Sequence, residues 1–342
     1  MPQRFPSLDA LDRWFEKNKR SFPWREDPFP YAVLVSEIML QQTQATRVIP
    51  FFLQWMRTFP SLNILAQASE ISVIKAWEGL GYYRRARMLH KAASIIIAQH
   101  NGEIPQNRSD LLQIPGIGPY TAGAILSFAF HQRAAAVDAN VRRVLFRLFN
   151  QKLSSKELII YTEQLLSKTK PWHTMEALIE LGALLCLPSP HCHICPLSDQ
   201  CRAYQSETQN TIIKKDPQKR IPLQRIVLIF LWKEYLYIIQ RAEGEIMGGL
   251  YEFPFFEITS TTSMHTQLTT YLDQQIGDSY TITRQYSPIN HSFTQYRATL
   301  YPYAIELTNQ ESFNKEGSWI RKKEMSSLPF SAGHRRIFQR LF

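Results

Sequence analysis

The chain has 342 residues, of which 44% are apolar and 20% charged, and a formal net charge of +10. That length exceeds one ordinary core and predicts at least two domains of globular composition. The first thirty residues hold no apolar leader-like region, and the longest apolar run, Ile226 to Trp232, is far short of a bilayer span, so a soluble, intracellular, cytoplasmic protein is expected. The positive charge points to a polyanionic partner. Residues 1–205 carry 23 Lys and Arg against 16 Asp and Glu, and residues 206–342 carry 16 against 13, so nucleic-acid chemistry is expected in the first part.

From Ser7 to about Leu185 the pattern is helical. "SLDALDRWFEKN" opens with a capping serine, and "YAVLVSEIML", "QATRVIPFFLQWM", "RRARMLHKAASIIIAQH", "NVRRVLFRLF" and "MEALIELGALL" follow, with shorter segments between them. No strand alternation interrupts them, which predicts an all-α domain of about ten helices. The stretch 202–222 turns polar and reads as a linker. Beyond it, "RIVLIFLW" and "YLYIIQRA" flank Lys233–Glu234 as a hairpin. "TQLTTYLDQQIG" reads as a helix, and "YTITRQYSPINHSFTQYRATLYPYAIEL" as two or three strands, giving a small α+β domain over 223–342.

All four cysteines, Cys186, Cys192, Cys195 and Cys201, fall within sixteen positions as C-x5-C-x2-C-x5-C. A disulfide framework belongs to small secreted domains, so this spacing favours metal. Four thiolates suit zinc, with His191 and His193 as possible extra ligands, and an iron–sulfur cluster equally well.

In "LLQIPGIGPYTAGAILSFAF" two apolar helical segments flank Pro115-Gly116-Ile117-Gly118. This is a helix–hairpin–helix, in which Gly116 and Gly118 let the backbone approach a ligand and the start of the second helix offers N–H groups to a phosphate. Twenty residues past Gly118 comes Asp138, just ahead of an amphipathic helix, and Asp138 or Asn140 alone reads as a helix cap. Glu37 lies in the apolar "YAVLVSEIML", where burial raises a carboxylic acid toward the range in which it can donate a proton.

The hairpin, its following aspartate, the cysteine loop and "PWREDPFPYAVLVSEIMLQQTQATRVIPFF" resemble the MutY-type adenine DNA glycosylases of the helix–hairpin–helix superfamily. The likeness covers nearly the whole chain, most strongly 20–201. It implies an all-α glycosylase domain over 1–201 whose loop, 186–201, holds a [4Fe–4S] cluster on the four cysteines, although the family usually has six residues in the first cysteine gap. It implies that Glu37 protonates adenine N7 and that Asp138 stabilises the sugar, with Tyr120 and Asn140 ordering the pocket. Bifunctional relatives carry a lysine at the position of Tyr120, and a phenol cannot form an imine, so strand cleavage through this residue is excluded. Leu40, Gln41, Gln42 and Tyr82 are assigned to wedging the duplex and reading the opposite base.

"GGLYEFPFFE" resembles the Nudix-like domain of the same family, without the metal-binding glutamate run of a nucleotide hydrolase. The family's F-S-H element survives as Phe293 and Thr294, with Gln295 replacing the histidine. The implied partner is double-stranded DNA with an 8-oxoguanine:A or G:A mismatch, bound by a monomer associated with the nucleoid. Two other readings stand beside this one. An endonuclease III-like pyrimidine glycosylase and lyase is opposed by Tyr120 and the extra domain. An inert iron–sulfur DNA-binding protein is opposed by the pair Glu37 and Asp138.

Overall fold

A computed structural model describes residues 5–213, 220–258, 262–313 and 316–341. Part of the expected linker, 214–219, lies outside the described residues. The chain divides into two compact units, one of Met1–Ser69 with Arg84–Asp216, the other of Glu70–Tyr83 with Pro217–Phe342. Among the described residues, no helix is long and apolar enough to cross a membrane.

The first unit is helical. Its elements are α1 (Asp9–Asn18), α2 (Pro23–Glu26), α3 (Pro30–Leu40), α4 (Ala45–Thr58) and α5 (Leu62–Gln67); α6 (Glu70–Ala76) falls in the second unit. The first unit continues with α7 (Arg84–Gln99), α8 (Arg108–Gln113), α9 (Pro119–Ala124), α10 (Ala139–Phe149), α11 (Ser155–Leu165), α12 (Pro171–Leu184) and α13 (Arg202–Gln205). Local chemistry sets several of these boundaries. Proline occupies the first turn of α3, α9 and α12, where no intrahelical N–H is lost. Ser154 and Glu157 form a reciprocal capping box at the start of α11, and Asn150 ends α10 in the left-handed region. One stripe of α10, through Val141, Val144, Leu145 and Leu148, packs with Leu11, Phe15, Met175, Leu178 and Leu181 into one core.

The predicted hairpin helices are α8 and α9, and α9 runs on into a π-helical turn, Ile125–Ala129. Gly116 has φ +84°, and a Cβ there would stand 2.7 Å from the Met88 Cβ, so conformation and packing both require glycine. A Cβ on Gly118 would meet nothing within 4 Å.

The second unit is built on β1 (Ile221–Trp232), β2 (Tyr235–Gln240), β3 (Tyr251–Glu252), β4 (Phe255–Glu257), α14 (Met264–Ile276), β5 (Tyr280–Gln285), β6 (Ile289–Phe293), β7 (Tyr296–Leu307), β8 (Ser318–Arg321) and α15 (Ala332–Leu341). The strands run in the order β3-β2-β1-β7-β5, with β4 on β1, β6 on β7 and β8 on β2. The hairpin closes with Trp232 opposite Tyr235, and "YTITRQYSPINHSFTQYRATLYPYAIEL" becomes three strands. β1 pairs β7 in parallel, from Ile221 on Tyr296 to Leu231 on Glu306. Both faces of β1 are buried, which explains its unbroken apolar run. Ile226, Leu228 and Phe230 share a core with Leu268 and Leu272 of α14, while Val227 and Ile229 share another with Phe253, Phe330 and Ile337. Within the same unit Glu78 accepts from Lys75 Nζ at 2.6 Å, and its Oε1 accepts from Arg335 Nε at 2.6 Å and from the Phe330 backbone N–H at 3.1 Å.

Candidate active site and cysteine loop

A cavity of about 1270 Å³ opens in the helical unit. Glu37, Tyr120, Asp138 and Asn140 all line it, although about a hundred residues separate the two acids in the chain. Leu40, Gln41, Gln42, Gly116 and Gly118 line it as well. Tyr82, Phe293 and Thr294 belong to the second unit. Tyr82 is 48% exposed with φ +50°, unlike a core aromatic, and Thr294 turns between β6 and β7 at φ +45°.

Glu37 projects from α3, whose entire length is apolar except for Ser36 and this residue, and it is only 5% exposed. Burial raises its pKa to about 7, against the opposing pull of the Tyr120 hydroxyl and the Arg25 charge. Tyr120 Oη lies 2.6 Å from Glu37 Oε2. Burial and the neighbouring carboxylates push the phenol well above its ordinary range, so Tyr120 stays protonated and donates. Glu37 Oε1 is then the oxygen that can carry an acid proton.

Asp138 stands both at a helix start and in the cavity lining. It caps α10, accepting from the Val141 N–H at 2.7 Å, and it faces the cavity. Burial raises its pKa, while Val141 and the Asn140 amide, 2.7 Å from Oδ2, favour the carboxylate. Arg143 holds Asn140 in turn, with Nη2 2.8 Å from Asn140 Oδ1.

A second set of charges, which no motif above singles out, also lines this cavity. Glu180 is fully buried on α12 and accepts from Arg20 Nε at 2.5 Å and Arg25 Nη2 at 3.1 Å. Burial pushes its pKa up, but the two guanidinium groups outweigh that and hold it below the ordinary value. Arg25 Nε also stands 3.3 Å from Glu176, whose pKa burial raises. Two glutamates one turn apart in the apolar "MEALIELGALL" were the available signal, of the same kind as Glu37.

The turn from Leu40 to Gln42 is anchored from beneath. Arg85 Nη1 donates to the carbonyls of Ile38, Met39 and Gln41 at 3.0, 2.8 and 2.6 Å, satisfying the last carbonyls of α3. Gln42 takes φ +57° and Gln41 reaches Thr121 Oγ1 at 3.3 Å.

In the cysteine loop all four thiols are free. Burial and the charges of the other cysteines raise Cys192, Cys195 and Cys201, with Cys195 pushed up to about 12. Buried Arg147 donates to Cys186 Sγ at 3.3 Å and to the carbonyls of Leu187 and Pro188 at 2.5 and 2.9 Å. Among the described residues, no three His, Cys, Asp or Glu side chains stand at metal-holding distances. The donor set itself fits a cluster: four soft thiols in a partly buried loop repel one another as thiolates and are neutralised by bound iron.

Residues 35–171 match the family described as HhH-GPD superfamily base excision DNA repair protein, and residues 226–340 match a NUDIX domain. The chain is 38% identical over 255 residues to an adenine DNA glycosylase of Buchnera aphidicola subsp. Baizongia pistaciae (strain Bp), covering 71% of this chain and 72% of that one. It is 30% identical to an adenine DNA glycosylase of Schizosaccharomyces pombe, covering 94% and 86%. Among solved structures, a thermostable thymine-DNA glycosylase shares 29% identity at a TM-score of 0.56, over 58% of this chain and 95% of that one. A non-covalent endonuclease III–DNA complex shares 26% at 0.53, over 59% and 95%.

Proposed function

The chain belongs to the adenine DNA glycosylases, enzymes of base excision repair, and on that footing we propose that it excises adenine paired with 8-oxoguanine or guanine in duplex DNA. The observation that carries this reading is Glu37, a buried acid with a pKa of about 7, hydrogen-bonded to Tyr120 in a cavity that also holds Asp138.

Adenine is a poor leaving group as an anion. Glu37 supplies the proton to N7 as the glycosidic bond breaks, Asp138 stabilises the cationic sugar, and water activated by the resulting Glu37 carboxylate completes hydrolysis. The target base must leave the stack, and Leu40, Gln41, Gln42 and Tyr82 fill and read the gap. Gly118, with open space where a Cβ would stand, is suited to close approach by the DNA backbone. Cys186, Cys192, Cys195 and Cys201 would hold a [4Fe–4S] cluster, which would supply rigidity and charge to the loop. Phe293 and Thr294 contact the 8-oxoguanine. The enzyme acts as a monomer on nucleoid DNA.

Single-turnover assays on 8-oxoguanine:A, G:A and T:A duplexes test the proposal. Alkali-dependent strand breaks at adenine in the first two and none in the third are expected. Equal excision from all three, or pyrimidine release, overturns it.

A further inference from the structure

The turn that carries Tyr82 is tied together from within. Gly79, Gly81 and Tyr82 all take positive φ, of +99°, +80° and +50°. For a tyrosine that conformation is strained, and it persists only where the surroundings fix it. Two buried rings do so: Trp77 Nε1 donates to the Gly81 carbonyl at 3.0 Å, and the Tyr83 hydroxyl accepts the Gly79 N–H at 3.2 Å. Of the three aromatic rings in this turn, Tyr82 alone is exposed.

Glu78 forms the base of the turn, four positions before Tyr82. The segment Glu70–Tyr83 belongs to the second unit, and within that unit the Glu78 carboxylate ties it to α15 and to the residues just ahead of that helix. Its Oε1 accepts from Arg335 Nε at 2.6 Å and from the Phe330 N–H at 3.1 Å, while Oε2 accepts from Arg335 Nη2 at 3.1 Å and Lys75 Nζ at 2.6 Å. The Arg335 guanidinium also donates to the Leu328 carbonyl and lies 4.9 Å from the centroid of the Phe330 ring. Lys75 by itself supplies a counter-charge for Glu78. What Arg335 adds is a planar fork of two bonds, which fixes direction as well as charge. The side chains of Glu78 and Arg335 are only 13% and 14% exposed, so their charges face each other and any effect of theirs on DNA passes through the turn. We propose that Glu78 and Arg335 are positioning residues for Tyr82: α15 aims the aromatic ring that enters the opened duplex, and so sets how well the extruded state is held. The proposal rests on the reading of Tyr82 given above.

A double-mutant cycle on the full-length protein tests it, read by single-turnover excision from an 8-oxoguanine:A duplex and by the fluorescence of a 2-aminopurine placed beside the 8-oxoguanine. Tyr82→Ala and Arg335→Met are each expected to lose about tenfold in excision rate, and the double variant no more than either alone, because both changes remove the same wedge. Duplex affinity at fixed salt stays within about threefold of wild type, since no exposed phosphate-binding charge is removed. The rise in fluorescence that unstacking produces on binding is lost in both single variants. Arg335→Lys keeps the charge without the fork and is expected to lose about threefold, which covers the case in which methionine is not tolerated at this position. A lowered melting temperature with excision and fluorescence unchanged, or losses that multiply in the double variant, overturns the proposal alone. Wild-type excision by Tyr82→Ala overturns the reading of Tyr82 and the proposal with it.

Discussion

Arg143 reaches the backbone carbonyl of Cys186: its Nε donates at 2.6 Å, while Nη2 of the same guanidinium holds both Asn140 Oδ1 and the Gly182 carbonyl. One planar group thus ties the residue beside Asp138 to the first cysteine of the loop. Lysine has one ammonium and cannot reproduce this fork. Arg143→Lys will lose roughly 10- to 100-fold in single-turnover excision and will bind duplex DNA normally. A wild-type rate in the folded variant contradicts the role given to Asn140.

Excision will depend on pH with a descending limb near 7. The acid form of Glu37 is the active one, so the rate falls about tenfold per pH unit above its pKa. Tyr120→Phe removes a donor that stabilises the carboxylate, so burial acts unopposed by it and the limb moves to higher pH. A limb unmoved in that variant assigns the titration to another group.

The same shift bears on stability. The folded pKa of Glu37 is raised from 4.5 to about 7, so its contribution is full below about 4.5 and is lost as pH rises through 7. Glu37→Gln keeps an acceptor for Tyr120 without the buried charge. It will therefore be more stable than wild type at pH 8, by on the order of 3 kcal/mol, and about equal to it at pH 4.5. Denaturant melts at the two pH values measure this, and a constant difference excludes Glu37 as the titrating group.

Protein prepared without oxygen will be brown and contain about four irons per chain. Cys195→Ser will lower the iron content and the melting temperature together. Stoichiometric zinc with no sulfide refutes the cluster assignment.

Gln295 precedes Tyr296, and its Nε2 lies 3.3 Å from the Tyr296 hydroxyl. Its carbonyl holds the Ile221 N–H at 2.9 Å through the backbone, so changing the side chain leaves the sheet intact. Gln295→His will sharpen the preference for 8-oxoguanine:A over G:A by roughly 1–3 kcal/mol, at a fixed salt concentration. An unchanged ratio removes this turn from lesion reading.

Glu37 could be read from the chain because a carboxylate inside an apolar run has no ordinary explanation. Asp138 was ambiguous, since a helix cap and a catalytic acid ask for the same residue at the same place, and in the fold it caps α10 while lining the cavity. The pairing of Glu180 with Arg20 and Arg25 was invisible, because it spans 160 and 155 residues and leaves no local pattern. The hairpin β1–β2 followed from adjacency and alternation. The parallel pairing of β1 with β7 did not, as residues 221–231 pair directly with 296–306 while β2 to β6 intervene in the chain. The membership of Glu70–Tyr83 in the second unit was equally hidden, since a helix's periodicity says which face is buried and not against what.

That last feature sets a schedule for synthesis. Glu78 leaves the ribosome 257 residues ahead of Arg335, its permanent guanidinium partner. At about 5–20 residues per second the carboxylate waits roughly 10–50 seconds. Lys75, three positions earlier near the end of α6, can neutralise it at once, so the nascent chain carries a chaperone for this charge in its own preceding residues.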